Sequence, residues 1–475
     1  IRSIYADMTL RQFIYPLTIA ILSGVAVSSC SSSDIEPVVP GNGETSTSGR
    51  ITMSISAAPL SGRSTRADFP ELPAESAELI NEWYIAFLDE TGNVVAVEDN
   101  GSLAGVWNDV VSTELQLYKT YTALAFANFN GLPKLTEDDG SYSSSAEYAQ
   151  SLGLVKGGTN VDVAEIKESI YKDGIKYLNK GDLIPMSGYL EFTPRGTVNE
   201  TFAIEVVRLY SRVEFAFEKN VEDDIIINSI SLGSVNVGSI SLMPNYDQKP
   251  RPNTTPEDSP ILPATEVNYE TITPGMSALS VPNEKEGDDV TSIRPRFYIK
   301  ESVVSKDERF KIGINLTRGS GSDAVTETIE ALTDKGLRFF YRNDYVLFPI
   351  KFNYTPEIKV YDYPPIGGYP VQVTVANGTE YTAMFSSSGA FDIETSIVDK
   401  NGNIIELGSE GNGNTNYVEW NTADKPAGFN ISYDSVSKRW FGDFPLGYDK
   451  PIRIDFKFHV GDLVYSRSLT LIGRK

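Results

Sequence analysis

Short runs in which every second residue is apolar constrain the fold of this chain more than any other feature. Between residues 51 and 57, Ile51, Met53, Ile55 and Ala57 alternate with threonine and serine. A period of two is typical of a β-strand that buries one face and exposes the other. Further strand-like runs lie at residues 83–88, 94–97, 120–126, 202–207, 212–217, 225–235, 297–299, 310–316, 345–352, 371–375, 390–399, 417–420, 452–460 and 464–472.

Turn-forming residues separate these runs. The chain has 38 glycines and 26 prolines, and Asn401-Gly402 between two strand-like runs is a strong hairpin signal. Many short strands with frequent turns predict a mainly β fold built from tandem β-sandwich domains, as in immunoglobulin-like proteins. Residues 146–178 differ, because their apolar residues have helix-like spacing, so we expect a short helical insertion in the first domain.

The first 30 residues have the parts of a secretory signal. Arg11 follows Met8, an apolar stretch covers residues 13–27, and two serines precede Cys30. Small residues that end in a cysteine resemble the lipobox of bacterial lipoproteins, in which the thiol receives lipid and the chain is cut just before it. We therefore predict a signal peptide at residues 8–29 and a precursor anchored to the outer membrane through Cys30. As the only cysteine, Cys30 leaves the fold without internal disulfides.

Charge and residue counts exclude several functions. The net charge is 41 − 64 = −23, and such an acidic surface repels nucleic acid. The one histidine, His459, lies in an alternating strand, and there are too few cysteine and histidine residues for a zinc site. Asp399-Lys-Asn-Gly-Asn403 resembles part of a calcium loop, but its early glycine and the missing distant glutamate favour a hairpin turn. No residues of the sequence can be assigned to the active site of a hydrolase. We expect no catalytic residues, no cofactor and no metal, and we favour a structural, adhesive or binding role.

A basic residue follows the first strand-like run. Residues 31–49 are mostly Ser, Thr, Gly and Pro, which is typical of a flexible tether. After the strand comes a turn-rich stretch that contains Ser64-Thr-Arg66-Ala67-Asp68. Cleavage between Arg66 and Ala67 would release the anchor together with the strand, and the open groove would then accept a strand from another subunit. The alternative is an ordinary edge strand and surface loop, and Arg50 and Arg63 are competing cut sites.

At several positions the chain resembles the fimbrillins of the Bacteroidetes, the type V pilins. The segments that carry the resemblance are Thr65-Arg-Ala67, Tyr84-Ile-Ala-Phe-Leu88, Pro185-Met-Ser-Gly188, Val207-Arg-Leu-Tyr-Ser-Arg-Val-Glu-Phe215, Phe297-Tyr-Ile-Lys-Glu301 and Tyr341-Arg-Asn-Asp-Tyr345. The resemblance implies two transthyretin-like β-sandwiches, lipoprotein export and removal of the first strand by an arginine-specific protease. It also implies assembly with other fimbrial subunits by strand exchange at the cell surface.

The pattern predicts the following organisation after the signal peptide. The segments are a tether at residues 30–50, a removable strand with its cleavage loop at 51–66, fimbrillin-like sandwiches at 67–207 and 208–362, and an extra sandwich at 363–475. Stalk subunits of the family end soon after the second domain, so the extra domain favours a tip or accessory subunit. Trp420 and Trp440 are candidates for adhesive aromatics that contact a host protein or glycan, and core packing is the alternative for both.

Two questions stay open at this point. A surface glycan-binding lipoprotein also combines a lipobox, a tether and tandem sandwiches, and is the alternative to a fimbrial subunit. The terminal run at residues 464–472 alternates, with Leu469 and Leu471 on one side. It is either a donor strand for another subunit or a strand of its own domain.

Overall fold

The structure is a computed structural model. It describes residues 48–64, 74–134, 140–196, 200–244, 266–283, 294–305, 307–334, 336–363, 369–385, 389–411, 415–423, 425–445 and 447–473. Within these ranges, no helix is long and apolar enough to cross a membrane. Cys30, Arg66, Ala67 and the tether up to Thr47 lie outside the described residues.

The first part of the chain contains strands and two short helices. They are β1 Ser48–Ala57, β2 Ser61–Ser64, β3 Trp83–Asp89, β4 Val94–Asn100, β5 Asn108–Gln116, β6 Tyr121–Ala127, α1 Ser145–Ser151, α2 Val163–Glu168, β7 Ile170–Tyr171, β8 Leu178–Asn179, β9 Met186–Phe192 and β10 Thr201–Arg208. A 3-10 helix covers Ser76–Glu78. The predicted helical insertion is confirmed as these two helices, which are shorter than the predicted region.

The second part is almost entirely strand. Its elements are β11 Tyr210–Lys219, β12 Ile225–Asn236, β13 Ile240–Ser241, β14 Tyr269–Ile272, β15 Leu279–Ser280, β16 Arg296–Lys300, β17 Ser302–Val303, β18 Lys311–Arg318, β19 Val325–Leu332, β20 Phe339–Phe340 and β21 Asp344–Phe352. A 3-10 helix covers Gly321–Asp323.

The last part continues in the same way. It contains β22 Thr355–Asp362, β23 Val371–Gln372, β24 Thr374–Asn377, β25 Glu380–Phe385, β26 Ala390–Val398, β27 Ile404–Glu406, β28 Asn416–Asn421, β29 Asn430–Asp434, β30 Arg439–Asp443, β31 Ile452–Val460 and β32 Leu463–Gly473. The predicted mainly β fold with tandem sandwiches is confirmed.

One strand, β10, belongs to both layers of the first sandwich and connects them. Its strand order is β4-β3-β6-β9-β10-β1-β5. Strand β10 pairs with β1 through Thr201–Val206 and with β9 only at Val207 and Arg208, so it passes from one layer to the other. The two layers bury a common core that includes Met53, Ile55 and Phe87. The outer face of the β3-β6 layer is covered by α1 and α2 through a second apolar cluster.

The helices are capped by the side chains that precede them. Ser144 Oγ accepts a hydrogen bond from the Glu147 amide at the start of α1. One carboxylate oxygen of Asp162 accepts from the amides of Ala164 and Glu165 at the start of α2. These contacts satisfy amides that lack an intrahelical partner, which is why helices of six or seven residues form at these positions.

The second and third sandwiches share one sheet. In the second, the layer β2-β21-β11-β16-β8 faces the sheet β14-β12-β18-β19-β32-β25-β24, which also includes β31 and β28. The third uses the β32 end of that sheet against β23-β22-β26-β30-β29. A single apolar cluster extends from Val213 to Leu471. Strand β22 pairs with β26 across the predicted boundary at residues 362 and 363, and that boundary stays a prediction.

Gly442 in β30 permits the close packing of the third sandwich. A Cβ atom at this position would lie 2.5 Å from Phe391 Cζ and 2.7 Å from the Asn430 carbonyl oxygen. Because this core is closely packed, Gly442→Ala is expected to lower the free energy of unfolding by about 1–3 kcal/mol. Urea denaturation followed by tryptophan fluorescence measures this, since Trp440 lies in the same strand. Gly411→Ala is the matched control, because its Cβ would meet no atom of the described residues within 4 Å. Equal midpoints for the two variants would contradict this account of the packing.

Candidate functional site

The first strand, β1, is an internal strand rather than an edge strand. It pairs in parallel with β10, from Thr52 opposite Thr201 to Ala57 opposite Val206. On its other side it pairs antiparallel with β5, from Ser48 opposite Gln116 to Ser56 opposite Asn108. The alternative of an ordinary edge strand is therefore wrong. Loss of β1 would leave unpaired amides and carbonyls on both neighbours.

The side chains of β1 fill the core of the first sandwich. Ile51 is 4% exposed, Met53 and Ile55 are fully buried, and Ala57 is 6% exposed, whereas the side chains between them are exposed or half-buried. The predicted alternation is therefore confirmed for this strand. Full burial of an apolar side chain of this size stabilises a fold by about 1.5–3 kcal/mol. Strand β1 is thus a main contributor to the first core.

A second strand follows β1 after only three residues and joins a different sheet. Strand β2 pairs in parallel with β21, from Ser61 opposite Asp344 to Ser64 opposite Leu347. The sequence predicted only turns and loop here, and no apolar pattern could have revealed a strand with the sequence Ser-Gly-Arg-Ser. The segment before Arg66 therefore contributes one strand to the first sandwich and one to the second.

Ala58, Pro59 and Leu60 form the crossover between the two strands. Arg208 Nη1 donates to the Ala58 carbonyl oxygen at 2.6 Å, and Asn343 Nδ2 donates to the Pro59 carbonyl oxygen at 2.7 Å. The same Arg208 nitrogen also donates to Asn343 Oδ1 at 2.7 Å. Two side chains from different sandwiches therefore hold two consecutive carbonyls of the crossover.

Arg208, the last residue of β10, is an unusual residue for a buried position. It is 1% exposed, and its Nε donates to the Glu78 carbonyl oxygen at 2.8 Å. Burial lowers the pKa of Arg208 to about 10, although the nearby charge of Glu78 partly opposes this shift. Its Nη2 has no hydrogen-bond partner among the described residues. An unpaired buried charge is costly, so the stability of the buried Arg208 guanidinium depends on its hydrogen-bond acceptors. One of these acceptors is the Ala58 carbonyl oxygen in the crossover.

Leu60 extends the contact to the second sandwich. Its side chain is half-buried against a small apolar cluster formed by Ala216, Tyr345 and Leu347 on β11 and β21. This cluster lies on the sheet that β2 joins. The crossover is therefore held by two carbonyl contacts and one apolar contact.

A buried charge network supports this junction. Arg212 and Arg296 both contact Glu78 at 3.3 Å and Glu214 at 2.6 Å. The Tyr298 hydroxyl donates to Glu78 at 2.9 Å. Two guanidinium groups and two carboxylates balance one another, which is the condition under which buried charges are tolerated. The 3-10 helix of the first sandwich is thus fixed to β11 and β16 of the second.

Sequence reasoning did not single out Arg208 and Asn343 as site residues. Both lie inside the segments that carry the fimbrillin resemblance, at 207–215 and 341–345. A charged residue at the end of an apolar strand run is a signal that could have identified Arg208, because such a residue is rarely buried without partners.

The two remaining candidate cut sites lie in paired strands. Arg50 lies in β1 opposite Glu114, and Arg63 lies in β2 opposite Val346. A protease would have to unpair either strand before it could bind an extended segment around these residues. Arg66 and Ala67 fall outside the described residues, so cleavage between them stays a prediction.

The terminal strand β32 is paired along both edges. It pairs with β31 on one side, and on the other with β19 near its start and in parallel with β25 near its end. Arg467 of β32 contacts Glu327 of β19 at 2.6 Å, and Arg318 contacts the same carboxylate at 3.2 Å. These buried ion pairs join the second and third sandwiches. The strand at residues 464–472 therefore belongs to its own domain.

The two candidate adhesive tryptophans lie in the third core. Trp440 is 3% exposed, and its indole nitrogen donates to Thr395 Oγ1 at 3.1 Å. Trp420 is half-buried and meets Trp440 edge to face, with ring centroids 6.4 Å apart. This corrects the surface role considered for Trp440, because a ring inside the core presents almost no area to a ligand. Core packing explains Trp440, whereas Trp420 is only partly buried and an adhesive role for it stays a prediction.

Comparisons with known proteins give structural neighbours but no sequence relative. No family model and no curated protein matches the chain. A fimbrial assembly protein from Parabacteroides distasonis aligns at 13% identity over 76% of this chain and 99% of its own, with a TM-score of 0.32. The fimbrial anchor protein Mfa2 from Porphyromonas gingivalis aligns at 11% identity over 75% and 99%, with a TM-score of 0.27.

The names of these two neighbours describe a fimbrial assembly protein and a fimbrial anchor protein.

Proposed function

We propose that this chain is a subunit of a surface fimbria that is exported as a lipoprotein and incorporated by strand exchange. Cys30 carries the lipid that holds the precursor at the outer membrane. An arginine-specific protease then cuts between Arg66 and Ala67. A strand pair from another fimbrial subunit replaces β1 and β2, and the assembled subunit contributes to adhesion to a host protein or glycan.

One observation carries this proposal. The segment immediately before Arg66 supplies an internal strand to the first sandwich and an edge strand to the second, with only Ala58–Leu60 between them. A single cut after β2 would free both strands from the rest of the chain. A strand that belongs to one domain only would not be followed three residues later by a strand in the sheet of another.

Removal of this segment would create a strong acceptor for another chain. Strands β5 and β10 would expose unpaired main-chain groups, and the positions of Ile51, Met53 and Ile55 would become an apolar groove. Such an edge is costly to leave open and readily pairs with an incoming strand. The partner's main chain would restore the ladder, and its alternate side chains would refill the groove.

The paired state of β32 supports a tip or accessory position. A subunit donates a strand only if that strand can leave its own fold, and β32 is paired with β31, β19 and β25. The third sandwich also shares a core with the second, so this strand is part of the body of the protein. The chain therefore has the features of an acceptor of strands at the end of an assembly.

Mapping of the mature N-terminus tests the cleavage. Mass spectrometry of protein purified from the cell surface is expected to find Ala67 as the first residue, with lipid-modified Cys30 only in the precursor. Arg66→Ala is expected to keep the precursor N-terminus, because the cut site is gone. Arg63→Ala is the matched control and should mature normally, since Arg63 lies in the paired strand β2.

Electron microscopy of the same cells shows whether the protein is assembled into filaments. The protein should be found in filaments in wild-type cells and remain in the membrane fraction in the Arg66→Ala strain. A lipidated Cys30 terminus on every surface molecule would contradict the cleavage proposal.

A further inference from the structure

The edge of β21 to which β2 pairs is longer than β2. The pairing ends at Ser64, which lies opposite Leu347. Strand β21 itself continues to Phe352, and β11 pairs with its other edge up to that residue. Among the described residues, no strand pairs with residues 348–352 on the side of β2. The edge therefore continues beyond the point at which β2 ends.

A cavity lies beside this continued edge. Its volume is about 410 Å³, which is room for roughly a dozen water molecules. Phe348 and Ile350 of β21 line it from one layer, and Ala331 of β19 and Leu463 of β32 line it from the other. Polar residues such as Asn353 surround this apolar part. The cavity thus lies between the two layers of the second sandwich, in line with the groove that β2 occupies.

The side chains of β21 alternate between two apolar clusters at this place. Phe348 and Ile350 belong to the main core, whereas Tyr345 and Leu347 belong to the small cluster on the opposite face. Directly paired residues of neighbouring strands point to the same face. A strand that continues in the register of β2 therefore places its first and third residues after the position of Ser64 opposite Phe348 and Ile350. Their side chains point into the cavity.

The main chain of β21 offers little to a strand added here. The Asn220 amide, which follows β11, donates to the Phe352 carbonyl oxygen at 2.8 Å. Because the main-chain groups of successive strand residues point to opposite edges, those of Phe352 and Ile350 face β11, and those of Pro349 face the continued edge. Proline has no amide hydrogen to donate. Affinity for a longer strand must therefore come mainly from side chains that fill the cavity.

We propose that the strand which replaces β2 is longer than β2 and fills this cavity with two large apolar side chains. The inference rests on the proposed strand exchange and names its partner more closely. The partner is an extended segment of another subunit that runs parallel to β21 from Asp344 to Phe352. It has large apolar residues at the first and third positions after that of Ser64.

The cavity makes replacement of the resident strand favourable. No described residue of the resident segment lines it, since β2 ends at Ser64. A partner strand that fills the cavity removes apolar surface of Phe348 and Ile350 from water, and the resident strand β2 does not. The partner therefore binds more tightly than the resident segment when the rest of the two strands is equivalent. The cavity also offers the partner a contact that does not require β2 to leave first.

Peptide exchange into the nicked protein tests the role of the cavity. The chain from Thr47 to Lys475, which is one compact unit, is cut between Arg66 and Ala67 through an engineered protease site. Exchange of the bound segment for fluorescent peptides is followed by anisotropy. The reference peptide has the sequence of residues 48–64. A longer peptide continues with Leu-Ser-Leu-Ser, which places its leucines opposite Phe348 and Ile350. The matched control continues with Ser-Leu-Ser-Leu, which has the same composition but turns its leucines to the other face.

The expected result is a difference in affinity between the two extended peptides. The Leu-Ser-Leu-Ser peptide should bind at least about tenfold more tightly than the reference peptide, because its leucines are buried in the cavity. The Ser-Leu-Ser-Leu peptide should bind like the reference peptide.

A change on the protein's side of the cavity gives an independent measurement. Ala331→Leu places a larger side chain in the same space, and should reduce the difference between the two extended peptides without changing the affinity of the reference peptide. An unchanged difference would mean that the preference does not come from the cavity. If this variant does not fold, the two extended peptides with the unsubstituted protein decide.

The outcomes separate the role of the cavity from the proposed function. Equal affinity of the two extended peptides, with normal exchange of the reference peptide, would overturn the proposed longer strand and leave strand exchange standing. The same result is expected if the protein's own residues from Ala67 onward occupy the cavity. Failure of every peptide to exchange under all conditions that keep the protein folded would overturn the proposed strand exchange itself.

Discussion

A chain that begins at Ala67 is expected to lose the cooperative unfolding of its first sandwich. Ile51, Met53 and Ile55 bury their side chains almost completely, which together amounts to roughly 5–9 kcal/mol of apolar stabilisation. A typical domain has a net stability of only about 5–15 kcal/mol. The ladders with β5 and β10 would be lost in addition.

Hydrogen exchange locates this effect within the chain. Strand β5 lies at the end of its sheet with β1 as its pairing partner, so its amides should lose protection in the shortened chain. Amides of β31 in the third sandwich should be unchanged and serve as the internal control. Addition of the peptide 48–64 should restore protection of β5. Intact protection of β5 without the peptide would show that β1 is dispensable, contrary to its internal position.

Replacement of Glu327 by glutamine is expected to lower the free energy of unfolding by about 3–5 kcal/mol. Its carboxylate lies between Arg318 and Arg467, at 3.2 and 2.6 Å, and all three side chains are at least nine-tenths buried. Arg318 keeps a contact with Asp223 at 3.3 Å. Arg467 has no second carboxylate among its described contacts, so the variant leaves a buried charge on β32 without compensation.

The measurement is chemical denaturation combined with hydrogen exchange of β32. Because Glu327 and Arg467 join β19 to β32, amides of β32 should become less protected in Glu327→Gln. Glu330→Gln is the matched control, since Glu330 lies on the same strand with an exposed side chain. Comparable stability of the two variants would mean that the ion pair does not hold the second and third sandwiches together.

Only one of the two strands of the candidate site, β1, could be predicted from the sequence. Strand β1 could be predicted because its side chains alternate between core and surface. This alternation is visible in the order of adjacent residues in the sequence. Strand β2 was missed because Ser-Gly-Arg-Ser has no such pattern. It is a strand because β21 presents free main-chain groups beside it, and that neighbour is more than 270 residues away in the chain.

Local composition and periodicity determined the mainly β fold, the short helical insertion and the position of β1, and short sequence motifs carried the resemblance to fimbrillins. Only the tertiary structure decided that β1 is internal, that β32 is paired on both edges and that Trp440 lies in a core. It alone brought Arg208 and Asn343 together on consecutive carbonyls of the crossover. The physical reason is that periodicity acts between adjacent residues. Strand order, register and the pairing of buried charges depend on contacts between segments that are far apart in the sequence.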